Sequence, residues 1–214
     1  AIDGHTILLC SRGEKTLYDT VADLQTRFPE STIKGKVCDM SNKASVLEFA
    51  DFCLNHGAPD IVVNNAGNFI AGSIHNEADG VIEEMITTNL YSAYHLTKAI
   101  LPSMQKSNSG HIFTICSTAS ITAYTAGGSY CISKFALLGF TKVLREELKT
   151  QGIKVTAVLP GATLTPAWDG VNLPDSRFIP AEDVANTIFS ASIMSASTVI
   201  EEILIRPQLG DIEL

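Results

Sequence analysis

The 214-residue chain is 45% hydrophobic and 18% charged, which excludes intrinsic disorder and gives one domain with a sizeable core. A formal charge of -8 argues against nucleic acid or an anionic membrane as the main partner. No apolar run approaches the roughly 18 residues that a membrane-spanning helix needs, and Ala1-Ile2-Asp3-Gly4-His5 lacks the basic start of a signal peptide.

Residues 5–10 (HTILLC) form a short apolar run read as a strand. Leu17, Tyr18, Val21, Leu24 and Phe28 then recur at helical spacing. Residues 32–38 alternate as a strand and lead into Asp39 and Met40, and Ser41 is the expected N-cap of a helix reaching about Asn55. Residues 60–63 are a strand stopped by Asn64-Asn65-Ala66-Gly67. The helical stretch over about 78–105 is expected to break near Pro102. Residues 111–116 read as a strand, 130–150 as a helix, and 154–159 as a strand halted by Pro160-Gly161. After Pro180, residues 181–194 read as a helix with Glu182 and Asp183 in its first turn, and 199–205 as the last strand.

Regular alternation of strand and helix implies an α/β fold, a doubly wound parallel sheet with helices on both faces. Strands buried on both faces are nearly continuous apolar runs, and IVVN, HIFTIC and VTAVL qualify. Such sheets bind ligands beyond the carboxyl ends of their strands. Ser11, Arg12, Asp39, the 64–67 turn, Ser117 and the 160–165 segment all fall there.

The most specific chemistry lies in one run. Ser117 closes a strand, a glycine-containing loop follows, and Tyr130 and Lys134 open an apolar helix. Four-residue spacing puts Tyr130 and Lys134 on one helix face, one turn apart. An ammonium near a phenol favours the phenolate, so the tyrosine pKa is expected to fall from about 10 toward neutrality. Such a phenol serves as general acid or base, and Ser117 can hold the oxygen it protonates. Tyr94 and Lys98 repeat the spacing, but thirteen residues before Tyr94 stands Val81 rather than a serine. That second pair reads as part of an amphipathic helix with a snorkelling lysine.

In order and spacing these motifs resemble the short-chain dehydrogenase/reductase family over nearly the whole chain, with its Rossmann-like sheet. The resemblance implies Asn89, Ser117, Tyr130 and Lys134 as the catalytic tetrad. It implies cofactor contacts at Asp39 and Met40, at Asn65, Ala66 and Gly67 of an NNAG turn, and at Pro160, Gly161, Thr163 and Thr165. Tyr130 would exchange a proton with the substrate oxygen. Lys134 would lower the pKa of Tyr130 and bind the cofactor ribose, Ser117 would orient the carbonyl, and Asn89 would hold a water linking Lys134 to solvent. Where NAD-preferring members carry an acidic residue to bind a ribose hydroxyl, this chain has Ser11 and Arg12, which suit a 2′-phosphate. NADP(H) is therefore favoured over NAD(H), with Glu14 nearby tempering that choice.

One departure stands out. The family's phosphate-cradling T-G-x-x-x-G-x-G turn is absent, together with the strand before it. Ala1-Ile2-Asp3-Gly4 looks like the tail of the helix that follows that turn. The expectation is a native molecule with roughly 25–30 further residues in front, because the fold otherwise leaves two buried strand edges unpaired.

Residues 1–214 are read as one catalytic domain with a substrate loop at about 166–180. Trp168 and Phe178 line a pocket or cap the domain, and Phe69 with Ile70 offers a second wall. The five cysteines (Cys10, Cys38, Cys53, Cys116 and Cys131) include no Cys-x-x-Cys, and most lie in apolar patterns. They read as packing residues in a reducing, cytoplasmic setting. The histidines show no metal spacing, and no metal is expected. The family resemblance implies a homodimer or homotetramer through the helices at 78–105 and 130–150. The expected partner is a small carbonyl or alcohol substrate; the competing reading is a non-catalytic dinucleotide-binding regulator on the same fold.

Overall fold

The computed structural model describes residues 4–212. Of the Ala1–Gly4 segment read as a helix tail, all but Gly4 lies outside the described residues. β1 (Thr6–Ser11) and β2 (Thr32–Val37) pair in parallel, joined by α1 (Glu14–Arg27). β3 (Ile61–Asn64), β4 (Gly110–Ile115), β5 (Ile153–Pro160) and β6 (Glu202–Ile205) form a parallel four-stranded sheet in that order. The register sets Asn64 beside Thr114, Ile115 beside Val158 and Pro160 beside Ile205, so the carboxyl ends align along one rim.

The sheet lies in two parts, and among the described residues no strand joins β1 to β3, which leaves the two unpaired strand edges expected where the family's first strand is absent. Both nevertheless feed one core: Leu8 and Cys10 of β1 pack in the cluster that holds Val62 of β3 and Ile112 of β4. Neighbouring strand residues point to opposite faces. Ile112 joins Val46, Phe49, Ile100, Met104 and Leu148, contributed by α2 (Lys43–Leu54), α4 (Ser92–Ser107) and α5 (Gly128–Leu148). Phe113 meets Val184 and Ala191 of α6 (Ala181–Ser192) on the other side. Helices thus cover both faces, as a doubly wound fold requires.

Two local expectations are corrected. Asn42, not Ser41, caps α2: its side chain accepts the Ser45 amide at 3.1 Å, while the Ser41 hydroxyl donates to Asp39 at 2.7 Å. The long helix does not break at Pro102, because the buried face formed by Ala93, Leu96, Ile100 and Met104 carries α4 through it. The interruption comes earlier. Between α3 (Val81–Ile86) and α4, residues Thr87–Tyr91 wind as a π-helix with Asn89 at their centre. An inserted π turn rotates the following residues relative to a regular helix, a device frequent at functional sites.

Candidate active site

The rim formed by the ends of β3 and β4 and the start of α5 gathers the tetrad. Ser117 follows β4 and caps the short turn Thr118–Ser120: its hydroxyl accepts the Ala119 amide at 3.1 Å, and its own amide donates to Ser120 Oγ at 3.1 Å. Tyr130, in the first turn of α5, lies close enough to Ser117 for that hydroxyl to favour its phenolate, and meets the Phe69 ring edge-on at 4.9 Å. Lys134 is buried one turn later; its ammonium donates to the Ile115 carbonyl at 3.0 Å and lies 5.8 Å from the Tyr130 ring centre. Both ends of the Ser117–Tyr130–Lys134 constellation therefore rest on the carboxyl end of β4.

Asn89 is fully buried. Its carbonyl oxygen accepts the Asn68 amide at 2.7 Å, and its amide nitrogen donates to the Asn68 carbonyl at 3.0 Å and to Ser133 Oγ at 2.9 Å. It clasps the turn after β3 to α5. Its hydrogen bonds are thus made to the chain itself, a positioning arrangement beside the water-holding role that the resemblance implied. Gly67 completes the convergence: a Cβ there would lie 3.4 Å from Asn89 Oδ1 and 3.5 Å from Lys134 Nζ.

The electrostatics differ from the expectation drawn from spacing. Burial, the largest influence, pushes the Tyr130 phenol above its ordinary value, opposed by the Ser117 hydroxyl, and Lys134 is not among the larger influences on it. Burial also pulls Lys134 down to about 8. The physical reason is shared. Removing both groups from water disfavours each charged form, and the lysine is turned to a backbone carbonyl rather than to the phenol. Burial likewise raises the Cys116 thiol to about 11, which agrees with packing rather than nucleophilic use.

The residues assigned to the cofactor occupy three places on the rim. Ser11 ends β1 and the exposed Arg12 follows it, close enough to Asp39 to help hold its carboxyl low, after the larger effect of the Ser41 hydroxyl and amide. Met40 is anchored by Cys38, whose thiol approaches its sulfur at 3.5 Å. Asn65, Ala66 and Gly67 follow β3, adjoining the tetrad. Beyond β5, the Gly161 amide donates to the Ile205 carbonyl at 2.7 Å, and Thr163 Oγ1 donates to the Gly161 carbonyl at 3.0 Å. Thr165 is exposed and begins the short turn Pro166–Trp168. Toward the following loop Trp168 packs on buried Phe178 with ring centres 5.3 Å apart. Tyr94 and Lys98 lie exposed, with the ammonium 5.6 Å from the Tyr94 ring centre.

Some participants escaped the sequence reading. Ser133 sits inside the Tyr130–Lys134 spacing and Asn68 directly follows the NNAG turn, so adjacency was a usable signal for both. Tyr124 was not findable that way: its hydroxyl donates to Asp211 at 2.8 Å across 87 positions, and Asp211 pairs with Arg206. Among the described residues no cluster of His, Cys, Asp and Glu could hold a metal, and no helix is long and apolar enough to cross a membrane.

A family model described as short chain dehydrogenase matches residues 1–175. A sepiapterin reductase of Chlorobaculum tepidum is 32% identical over 91% of this chain and 82% of its own length. A putative ketoacyl reductase of the monensin polyketide synthase of Streptomyces virginiae is 36% identical over 78% of this chain and 64% of its own. Among solved structures, an actinorhodin polyketide ketoreductase bound to NADPH superposes with a TM-score of 0.84 at 26% identity, covering 96% of this chain and 87% of that one. An alcohol dehydrogenase from Thermococcus sibiricus reaches 0.90 at 22% identity, with 100% and 90% covered, and bears on the fold alone.

Proposed function

Since the chain belongs to the short-chain dehydrogenase/reductase family and is an oxidoreductase, we propose that it moves hydride between NADP(H) and a carbonyl or secondary alcohol, with Tyr130 as acid–base. The observation that carries this reading is the convergence of Ser117, Tyr130 and Lys134 with Gly67 and Asn89 at one sheet rim. NADP(H), when bound, supplies or accepts the hydride. The residues present suit it. The missing side chain at Gly67 leaves open the space over Lys134, and Ser11 with Arg12 offers the hydroxyl and guanidinium that a 2′-phosphate needs. Asp39 and Met40 would take the adenine end, Lys134 the ribose, and Pro160, Gly161, Thr163 and Thr165 the nicotinamide side. The NADPH-bound ketoreductase supports the cofactor choice.

Tyr130 gives its phenolic proton to the substrate oxygen in reduction and takes it back in oxidation. A raised phenol pKa suits the acid role: the proton is present at neutral pH, where reduction needs it. Ser117 steers the same oxygen through its hydroxyl. Lys134, with a pKa near 8, changes charge close to working pH one helix turn from the phenol. Asn89 and Ser133 hold this geometry from behind.

We read residues 1–214 as one catalytic domain. Tyr91, Ile132, Phe135 and Val143, exposed on or beside α4 and α5, support a homodimer or homotetramer through these helices. Light scattering after gel filtration tests that assembly. Five free cysteines agree with a reducing cytoplasm. The enzymatic test follows NADPH and NADH absorbance against aldehydes, ketones, 3-oxoacyl thioesters and pterin carbonyls. Turnover that falls about 10²- to 10⁴-fold in Tyr130→Phe is expected. Silence on every class, or an undiminished Tyr130→Phe, defeats the proposal.

A further inference from the structure

α5 carries Tyr130, Ser133 and Lys134, yet it begins without a cap of its own. Gly127 precedes it, no local side chain meets its free amides, and no acidic residue lies in its first turn. A helix start leaves amides unsatisfied and gathers positive potential. Here the missing partner comes from 52 positions earlier: Glu77 Oε1 accepts the Ser129 amide at 2.8 Å, and Oε2 accepts the Ser129 hydroxyl. Ser129 is buried and immediately precedes Tyr130.

The surrounding backbone is shaped around this carboxylate. A Cβ at Gly72 would lie 2.8 Å from Glu77 Cγ, and a Cβ at Gly128 would lie 2.7 Å from Glu77 Oε1. Two bare glycines thus let the carboxylate reach the helix end. The Gly128 amide donates to the Gly72 carbonyl at 2.9 Å, the Gly72 amide to the Ala126 carbonyl at 3.0 Å, and Ser73 Oγ to the Thr125 carbonyl at 2.9 Å. The same loop begins at Asn68, held by Asn89, and passes Phe69, which abuts the Tyr130 ring. One continuous segment, 68–77, is therefore fastened to the catalytic helix at each end.

We propose that Glu77 is a positioning residue for the reaction: it caps α5 across the fold and sets the placement and proton affinity of Tyr130. This rests on the hydride-transfer reading above. Glu77 touches no reacting atom; it acts through Ser129 and the helix end. Its negative charge there offsets the positive potential of the helix start, which would otherwise favour the phenolate. Removing the charge while keeping the hydrogen bonds should lower the Tyr130 pKa, and removing both should also loosen the first turn.

The test compares Glu77→Gln and Glu77→Ala with wild type by two readouts. Hydrogen exchange follows the amides of 128–133, independently of turnover. The pH profiles of kcat and kcat/KM report the tyrosine. Glu77→Ala is expected to exchange these amides faster and to lose about 3- to 30-fold in kcat, with the KM for NADPH little changed. Glu77→Gln keeps kcat within about 3-fold but moves the apparent tyrosine pKa down by about 0.2–0.7 unit. An active wild type whose Glu77 variants show unchanged exchange, kcat and pH profile overturns this inference alone. A wild type silent toward every carbonyl overturns the hydride-transfer reading and the catalytic half of this one, while the exchange readout still decides the cap.

Discussion

Replacing Asn89 by alanine should unfold this protein measurably earlier, and the size of the effect follows from the partners Asn89 leaves behind. Asn89 has no solvent exposure and joins the Asn68 amide, the Asn68 carbonyl and Ser133 Oγ. Ser133 keeps a partner, because its hydroxyl also donates to the Tyr130 carbonyl at 2.7 Å. The two Asn68 groups do not. Each hydrogen bond lost costs about 0.5–1.5 kcal/mol, and a buried group left unsatisfied about 1–3 kcal/mol. Since Asn68 borders solvent and water can recover part of this, Asn89→Ala should cost about 2–4 kcal/mol. For a chain of this length that lowers Tm by about 5–15 °C. Asn89→Asp sharpens the test. One oxygen still accepts the Asn68 amide, but the other faces the Asn68 carbonyl where a donor stood, so at neutral pH the variant should be at least as unstable as alanine. Urea unfolding followed by circular dichroism measures both. An Asn89→Ala protein within about 0.5 kcal/mol of wild type would refute the clasp.

Three further outcomes are expected. Burial holds His111 near a pKa of about 4 against an ordinary 6.5, so the unfolded chain binds the extra proton between those values. Stability should fall as pH drops from 6.5 toward 4 and level off below. His111→Phe, measured by urea titration at several pH values, should flatten that limb by about 2–3 kcal/mol. Gly152→Ala forces a side chain onto a φ of +68° with its Cβ 2.2 Å from the Asn108 carbonyl oxygen. A loss of about 3 kcal/mol or more by thermal melting is expected there, and a neutral result would contradict the turn geometry. Arg12→Ala should raise the KM for NADPH about 10-fold or more while sparing NADH; equal effects on both would remove Arg12 from the 2′-phosphate site.

Local spacing was enough to read much of this protein, because strand and helix periods and the residues that interrupt them are properties of neighbouring positions. The strand–helix order, the rim of polar turns and the Ser117–Tyr130–Lys134 run follow from sequence alone. So does the rejection of Tyr94 and Lys98, which lie exposed. Spacing could not say how much water each group loses. The fall predicted for the Tyr130 pKa reversed, because burial and the turning of Lys134 to the Ile115 carbonyl outweigh nearness along a helix. Nor could it foresee the π turn at Asn89, which packing on both sides stabilises, or the survival of α4 through Pro102. The cap of α5 is likewise a tertiary matter: its cap position and first residue are glycines, and the carboxylate of Glu77 arrives from another loop once the chain has folded.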